Sequence, residues 1–288
     1  MEELEQQWHV PGTFIGSQAD YESAKVVMLG APMDYTVSFK AGSRFGPQAI
    51  RNASHGLEEY SPYMDRHLSQ VPFVDRGDLV LPVGNVNRSM EIIYSSVKEI
   101  LEDQKIPLIL GGEHLITYPV IRGMVEKYPD LVLLQFDAHT DLRDTFIGEK
   151  HSHATVIRRC VELLGKKRVY QYGIRSGEQH EFRYADEMTY MRRYHVIEGL
   201  RKDLPQLKDR PVYITFDIDC IDPAYCPGTG TPEPGGISTV EALEAIHAMK
   251  DLQIVGMDLV EVSPQTDPGG ITEMAAAKLL REALVSYW

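Results

Sequence analysis

Residues 131–141 read LVLLQFDAHTD. The opening run, LVLLQF, is apolar rather than alternating, which is how a strand buried on both faces of a parallel sheet reads. Asp137, His139 and Asp141 follow at every second position. Residues 211–219, PVYITFDID, repeat the arrangement with Asp217 and Asp219. Strand side chains alternate between faces, so residues i, i+2 and i+4 point the same way. The spacing therefore predicts that Asp137, His139 and Asp141 share one face if strand geometry persists, as do Asp217 and Asp219.

Working outward, further strands are expected at 25–31, 71–75, 107–110, 168–174 and 252–259. Helices are expected at 47–54, 87–104, 115–127, 155–165, 239–250 and 272–287. Pro47 suits a first helical turn, and Ser238 is a good N-cap. There is no low-complexity segment, internal repeat or linker rich in Gly, Pro or Ser. Strands alternating with helices predict one three-layer α/β domain over residues 1–288, with helices on both faces of a mostly parallel sheet. Such sheets bind ligands at the carboxyl ends of their strands. Two more polar clusters sit at such ends: Gly111-Gly112-Glu113-His114 and Val260-Glu261.

The chain carries 42 acidic and 29 basic side chains, a formal charge of −13. That argues against nucleic acid, which needs a basic patch, and suits a cationic ligand. It equally suits an acidic surface that merely keeps a protein dissolved. No apolar run reaches the roughly 18 residues of a membrane span, so no membrane partner is expected. Residues 1–12, MEELEQQWHVPG, are acidic and lack the apolar core of a secretory signal. Cys160, Cys220 and Cys226 form no CxxC pair, which fits a reducing cytoplasm rather than a disulfide framework.

A lone aspartate after a strand is usually a turn or cap residue, and a lone histidine is usually a core residue. Four aspartates at two buried strand ends are harder to explain that way. Burying unpaired like charges costs several kcal/mol each, and the nearby cations, such as Arg143, are too few to neutralise them. Two divalent metals would balance the four carboxylates, with neutral His114 and His139 completing the shells. Carboxylate-rich ligation with some imidazole favours Mn²⁺ over a thiolate-loving metal or a four-coordinate zinc. Two such ions roughly 3.5–4 Å apart lower the pKa of a shared water toward neutrality. Cys220 and Cys226 flank one cluster and are read as small packing residues.

GGEH (111–114), DAHTD (137–141) and TFDIDCIDPAYCPGTGTPEPGG (215–236), in this order and at these separations, resemble the ureohydrolases, the family of arginase and agmatinase. GSRFGPQAIR (42–51) and GLEEYSPYMDR (56–66) look like the N-terminal part of its bacterial agmatinase branch. The resemblance covers nearly the whole chain. It implies a single domain with an eight-stranded, mostly parallel sheet, two Mn²⁺ per subunit and a trimer or hexamer. It implies His114 and Asp141 on one manganese, His139 and Asp219 on the other, and Asp137 and Asp217 bridging. His153 looks like the family's proton-shuttling histidine, with His151 as the competing choice two residues earlier. Glu261, in DLVEVSP, looks like the carboxylate that grips a substrate guanidinium through a two-pronged hydrogen bond. Asp141 would donate a proton to the leaving amine.

The implied reaction hydrolyses a guanidinium C–N bond, for agmatine giving urea and putrescine, the latter a polyamine. Residues 142–152, LRDTFIGEKHS, are short and lack the Ser, Thr and Asn cluster of arginases. Asp144 and Glu149 are candidates to meet a distal ammonium. Arg143 points the other way, toward a carboxylate on guanidinobutyrate, arginine or formiminoglutamate. A phosphoesterase would need more basic residues. A metal-bound regulator without turnover is disfavoured because nothing is missing from the constellation. GTGTP lacks the Gly-Lys-Ser/Thr ending of a phosphate loop.

Overall fold

The structure is a computed structural model that describes residues 8–9 and 12–288. The reading of residues 1–12 as lacking a signal therefore falls mainly outside the described residues. In chain order the strands are β1 (Trp8–His9), β2 (Val26–Ala31), β3 (Tyr60–Ser61), β4 (Arg66–His67), β5 (Phe73–Leu79), β6 (Ile106–Gly111), β7 (Val132–Phe136), β8 (Val169–Ile174), β9 (Tyr190–Arg193), β10 (Pro211–Asp217) and β11 (Gln253–Val260). The α-helices are α1 (Gly46–Ser54), α2 (Val86–Glu102), α3 (Thr117–Lys127), α4 (Val156–Leu164), α5 (Gln179–Met188), α6 (Val196–Leu207), α7 (Thr239–Ala248) and α8 (Ile271–Tyr287).

Nine strands form one sheet in the order β1-β5-β2-β6-β11-β10-β7-β8-β9. Eight of them run parallel and β1 is antiparallel to β5. β3 and β4 make a separate hairpin. Alternate side chains of one strand feed two different cores. Val26, Met28, Leu108, Leu110, Val132 and Leu134 face a layer that includes α7 and α8. Val27, Leu29, Ile109 and Leu133 face α2, α3 and α4. This two-sided burial is why the central strands read as unbroken apolar runs.

The expected elements all form, with ends shifted by a few residues. Ser238 caps α7 by accepting from the Glu241 N–H at 3.2 Å, while the Glu241 carboxylate accepts from the Ser238 N–H at 2.8 Å. β5 differs most, starting and ending later than expected because polar residues continue it. Its Asp75 and Asp78 hold the fully buried Arg51 of α1, with Arg51 Nε donating to Asp75 at 2.7 Å. Elements β1, β3, β4, β9, α5 and α6 were not expected. β9 is a four-residue edge strand, YMRR. α5 fully buries only Glu181 and Ala185, with Tyr184 and Met188 half-buried beside them, so its apolar stripe is thin. α6 contains Pro205, a residue that ordinarily signals a helix end. No helix among the described residues is long and apolar enough to cross a membrane.

Candidate metal centre

The carboxyl ends of β6, β7 and β10, adjacent or nearly so in the sheet, deliver the polar clusters to one place. After β6 the chain turns through Gly112 into a short 3-10 turn that begins at His114. A side chain on Gly112 would put its Cβ 1.9 Å from the Met33 carbonyl oxygen, so only glycine fits that approach. Asp137 follows β7, and Asp217 ends β10.

Strand alternation is not what gathers the remaining candidate residues. β7 stops at Phe136. Asp141 takes a left-handed conformation with φ 53°, and Asp219 lies in a 3-10 turn. The residues converge through turns whose first oxygens are claimed by backbone N–H groups, two of them local and one from the neighbouring strand end. Asp137 Oδ1 accepts from the His139 N–H at 2.6 Å, Asp217 Oδ1 from the Asp219 N–H at 2.9 Å, and Asp219 Oδ1 from the Ala138 N–H at 3.0 Å. Gln135, inside β7, donates to Asp137 Oδ2 at 2.7 Å.

Two groups of donor atoms result: His114, Asp137 and Asp141, and Asp137, His139 and Asp219. Asp137 belongs to both. His114 Nδ1 lies 3.1 Å from carboxylate oxygens of Asp137 and Asp141 and 3.3 Å from Asp217. His139 Nδ1 lies 2.9 Å from Asp219 Oδ2. Asp217 stands beside the first group without belonging to either. His114 Nδ1 and Asp219 Oδ2 are buried and have no aligned hydrogen-bond partner. Orphaned buried atoms of this kind, in a set of oxygens and imidazole nitrogens, fit divalent cations.

The electrostatics without an ion are frustrated. Burial alone would push the His114 and His139 imidazoles down, but the surrounding aspartates hold both well above the ordinary histidine range. Burial pushes Asp141 up to about 7, helped by Asp137. Asp217 is driven well above the carboxylate range by burial and by Asp219 and Asp137. Asp137 is held below that range despite its burial, because His114 and His139 flank it. Cations at the two groups would relieve these conflicts.

The groups line one side of a cavity of about 250 Å³ whose wall includes Asp217, Glu261, His153, Phe146, Arg143 and Glu178. Glu261 adopts φ 64°, an uncommon conformation for a residue other than glycine. Its Oε1 accepts the His114 N–H at 2.7 Å, and burial raises it to about 8. His153 Nε2 is 3.2 Å from Ser38 Oγ, and burial presses its pKa down to about 4. His151 does not line the cavity; it stacks on Tyr118 with ring centroids 5.4 Å apart.

Asp144 and Glu149 also lie off the wall. Asp144 pairs with Arg159 at 2.9 Å, which fits the surface role open to it. Glu178 and Glu181 stand on the wall instead. They follow β8, and the strand-end rule applied to RSGE (175–178) would have found Glu178. Arg143 lies 3.5 Å from Glu178 and 3.6 Å from Glu181, with its guanidinium 5.2 Å from the Phe146 ring centre. Ser38 comes from a distant loop and carried no sequence signal, whereas Thr231 lies within the 215–236 motif. Cys220 and Cys226 are free, buried thiols, and neither belongs to the two donor groups.

Residues 24–286 match the model of the Arginase family. The chain is 52% identical over 277 residues to the agmatinase of Halalkalibacterium halodurans, covering 95% of this chain and 96% of that protein. It is 49% identical over 277 residues to the agmatinase of Bacillus subtilis, with the same coverages. The crystal structure of the agmatine ureohydrolase of Thermoplasma volcanium superposes with a TM-score of 0.88 at 36% identity, over 99% of this chain and 97% of that one. With a matching family model and relatives this similar over nearly the whole chain, the chain belongs to the arginase family, as an amidinohydrolase acting on guanidino substrates.

Proposed function

We propose that this chain, as a single catalytic domain over residues 1–288, hydrolyses agmatine to urea and putrescine with two Mn²⁺ per subunit. The observation that carries the agmatine reading is the cavity wall. Arg143 is the only lysine or arginine on it among the described residues, and Glu178 and Glu181 already pair with it. Two carboxylates share that one guanidinium, so a distal ammonium meets surplus negative charge here and a substrate carboxylate does not.

His114 and Asp141 would hold one ion, His139 and Asp219 the other, with Asp137 and Asp217 shared. When bound, the ions supply Lewis acidity and a water acidic enough to ionise near neutral pH. Glu261 binds and orients the guanidinium. The guanidinium carbon gains oxygen from water, and its bond to the alkyl nitrogen breaks. Asp141 takes a proton from that water and delivers it to the departing amine, and His153 exchanges protons with solvent. Three buried free thiols fit a reducing cytoplasm.

The test is urea release with Mn²⁺ from agmatine, arginine, guanidinobutyrate and guanidinopropionate. Agmatine should give the highest kcat/KM. Absence of urea from all four overturns the reading, and formamide released from formiminoglutamate redirects it.

A further inference from the structure

Asp258 is fully buried in β11 and takes no part in the proposed reaction. It sits beside Thr215 of β10 in the sheet register. Its Oδ2 accepts from Tyr213 Oη at 2.9 Å and from Thr117 Oγ1 at 3.0 Å. Thr117 Oγ1 lies 3.2 Å from Thr215 Oγ1, and Thr215 Oγ1 lies 2.9 Å from His114 Nε2. Asp258 is thus joined to His114 through the hydroxyls of Thr117 and Thr215, and every link is buried.

The direction of this chain follows from counting hydrogens. An ionised carboxylate only accepts, and a threonine hydroxyl has one hydrogen to give. Thr117 gives its hydrogen to Asp258, so it must accept from Thr215. Thr215 has then given its hydrogen away and must accept at its other side, from His114 Nε2–H. A neutral imidazole carrying its hydrogen on Nε2 has its lone pair on Nδ1. That is the atom facing Asp137, Asp141 and Asp217.

We infer that Asp258 is a positioning residue that sets the His114 tautomer, through Thr117 and Thr215, so that Nδ1 is free to bind a cation. The inference rests on the metal reading above. An amide at position 258 can donate to Thr117, after which both threonines can turn round. Thr215 would then donate to Nε2 and move the imidazole hydrogen onto Nδ1.

The test compares wild type with Asp258→Asn, Thr215→Val and Thr215→Ser. Two readouts are used: Mn²⁺ affinity by equilibrium dialysis with metal analysis, and the His114 tautomer by ¹⁵N NMR of the metal-free protein at a pH high enough to leave the imidazole neutral. Asp258→Asn and Thr215→Val should weaken one of two bound equivalents about 10- to 100-fold, the usual effect of removing such an outer partner. Asp258→Asn should also raise the Nδ1–H fraction of His114. Thr215→Ser should restore wild-type affinity. A merely structural role would lower the melting temperature of the metal-free protein without moving the tautomer. Should Asp258→Asn not fold, the Thr215 pair decides the matter. Unchanged affinity and tautomer in Asp258→Asn, or equal affinity in Thr215→Val and Thr215→Ser, overturn the inference. Wild type that binds no Mn²⁺ at all overturns the metal reading instead.

Discussion

His153 and Thr36, 117 residues apart in the chain, are joined at the cavity wall. The His153 N–H donates to Thr36 Oγ1 at 3.0 Å, and its Nδ1 lies 3.4 Å from the same oxygen. The Thr36 hydroxyl donates in turn to the buried Glu113. His153 is thus held by a loop from the far side of the cavity, whereas His151 rests on Tyr118 outside it. His153→Asn should keep both metal equivalents and lower kcat by about a hundredfold, the lower end of what a positioned acid–base group contributes. His151→Asn should turn over almost as wild type. Urea-release kinetics with metal analysis check both, and the reverse pattern would reassign the shuttle.

The same burial predicts a pH effect on stability. Folding lowers the His153 pKa from 6.5 to about 4. Between those values the unfolded chain binds the proton and the folded chain does not. This contribution is therefore complete above pH 6.5 and is lost as pH falls toward 4. Denaturant titrations of metal-free wild type and His153→Asn at pH 7.5 and pH 5 should show a smaller loss in the variant. An equal loss would mean that His153 is protonated in the fold.

Asp137 contributes to both donor groups, so Asp137→Ala should abolish metal retention and activity together. Asp217→Ala should do the same if it bridges. Two bound equivalents in either variant would defeat its assignment. Chelating the metal from wild type should lower the melting temperature, because an ion present at a thousandfold its Kd stabilises by about 4 kcal/mol.

Glu178 is the acidic wall residue placed to meet a distal ammonium. Glu178→Gln should raise KM for agmatine up to about fivefold, the scale of an exposed ion pair worth near 1 kcal/mol, with little change in kcat. Butylguanidine, which lacks that ammonium, should be unaffected. A similar rise for both compounds would show that Glu178 acts on the fold or on Arg143 instead.

The sequence by itself determined the parallel sheet and singled out the aspartates and histidines that gather at its strand ends. Strands such as VLLQF must be apolar throughout because helices cover both their faces. Clustered aspartates at their ends are too costly to bury without a compensating charge. Family likeness added His153 and Glu261, which periodicity alone would have left as a surface histidine and a buried acid. Only the tertiary structure decided how these residues meet. Asp141 and Asp219 arrive through turns rather than along a strand, because local hydrogen bonds override alternation once the ladder ends. It also decided that Glu178, rather than Asp144, faces the cavity. Long-range pairs such as Thr36 with His153 and Asp258 with Thr117 depend on which strands become neighbours. That order comes from packing the whole sheet, and no local stretch of sequence records it.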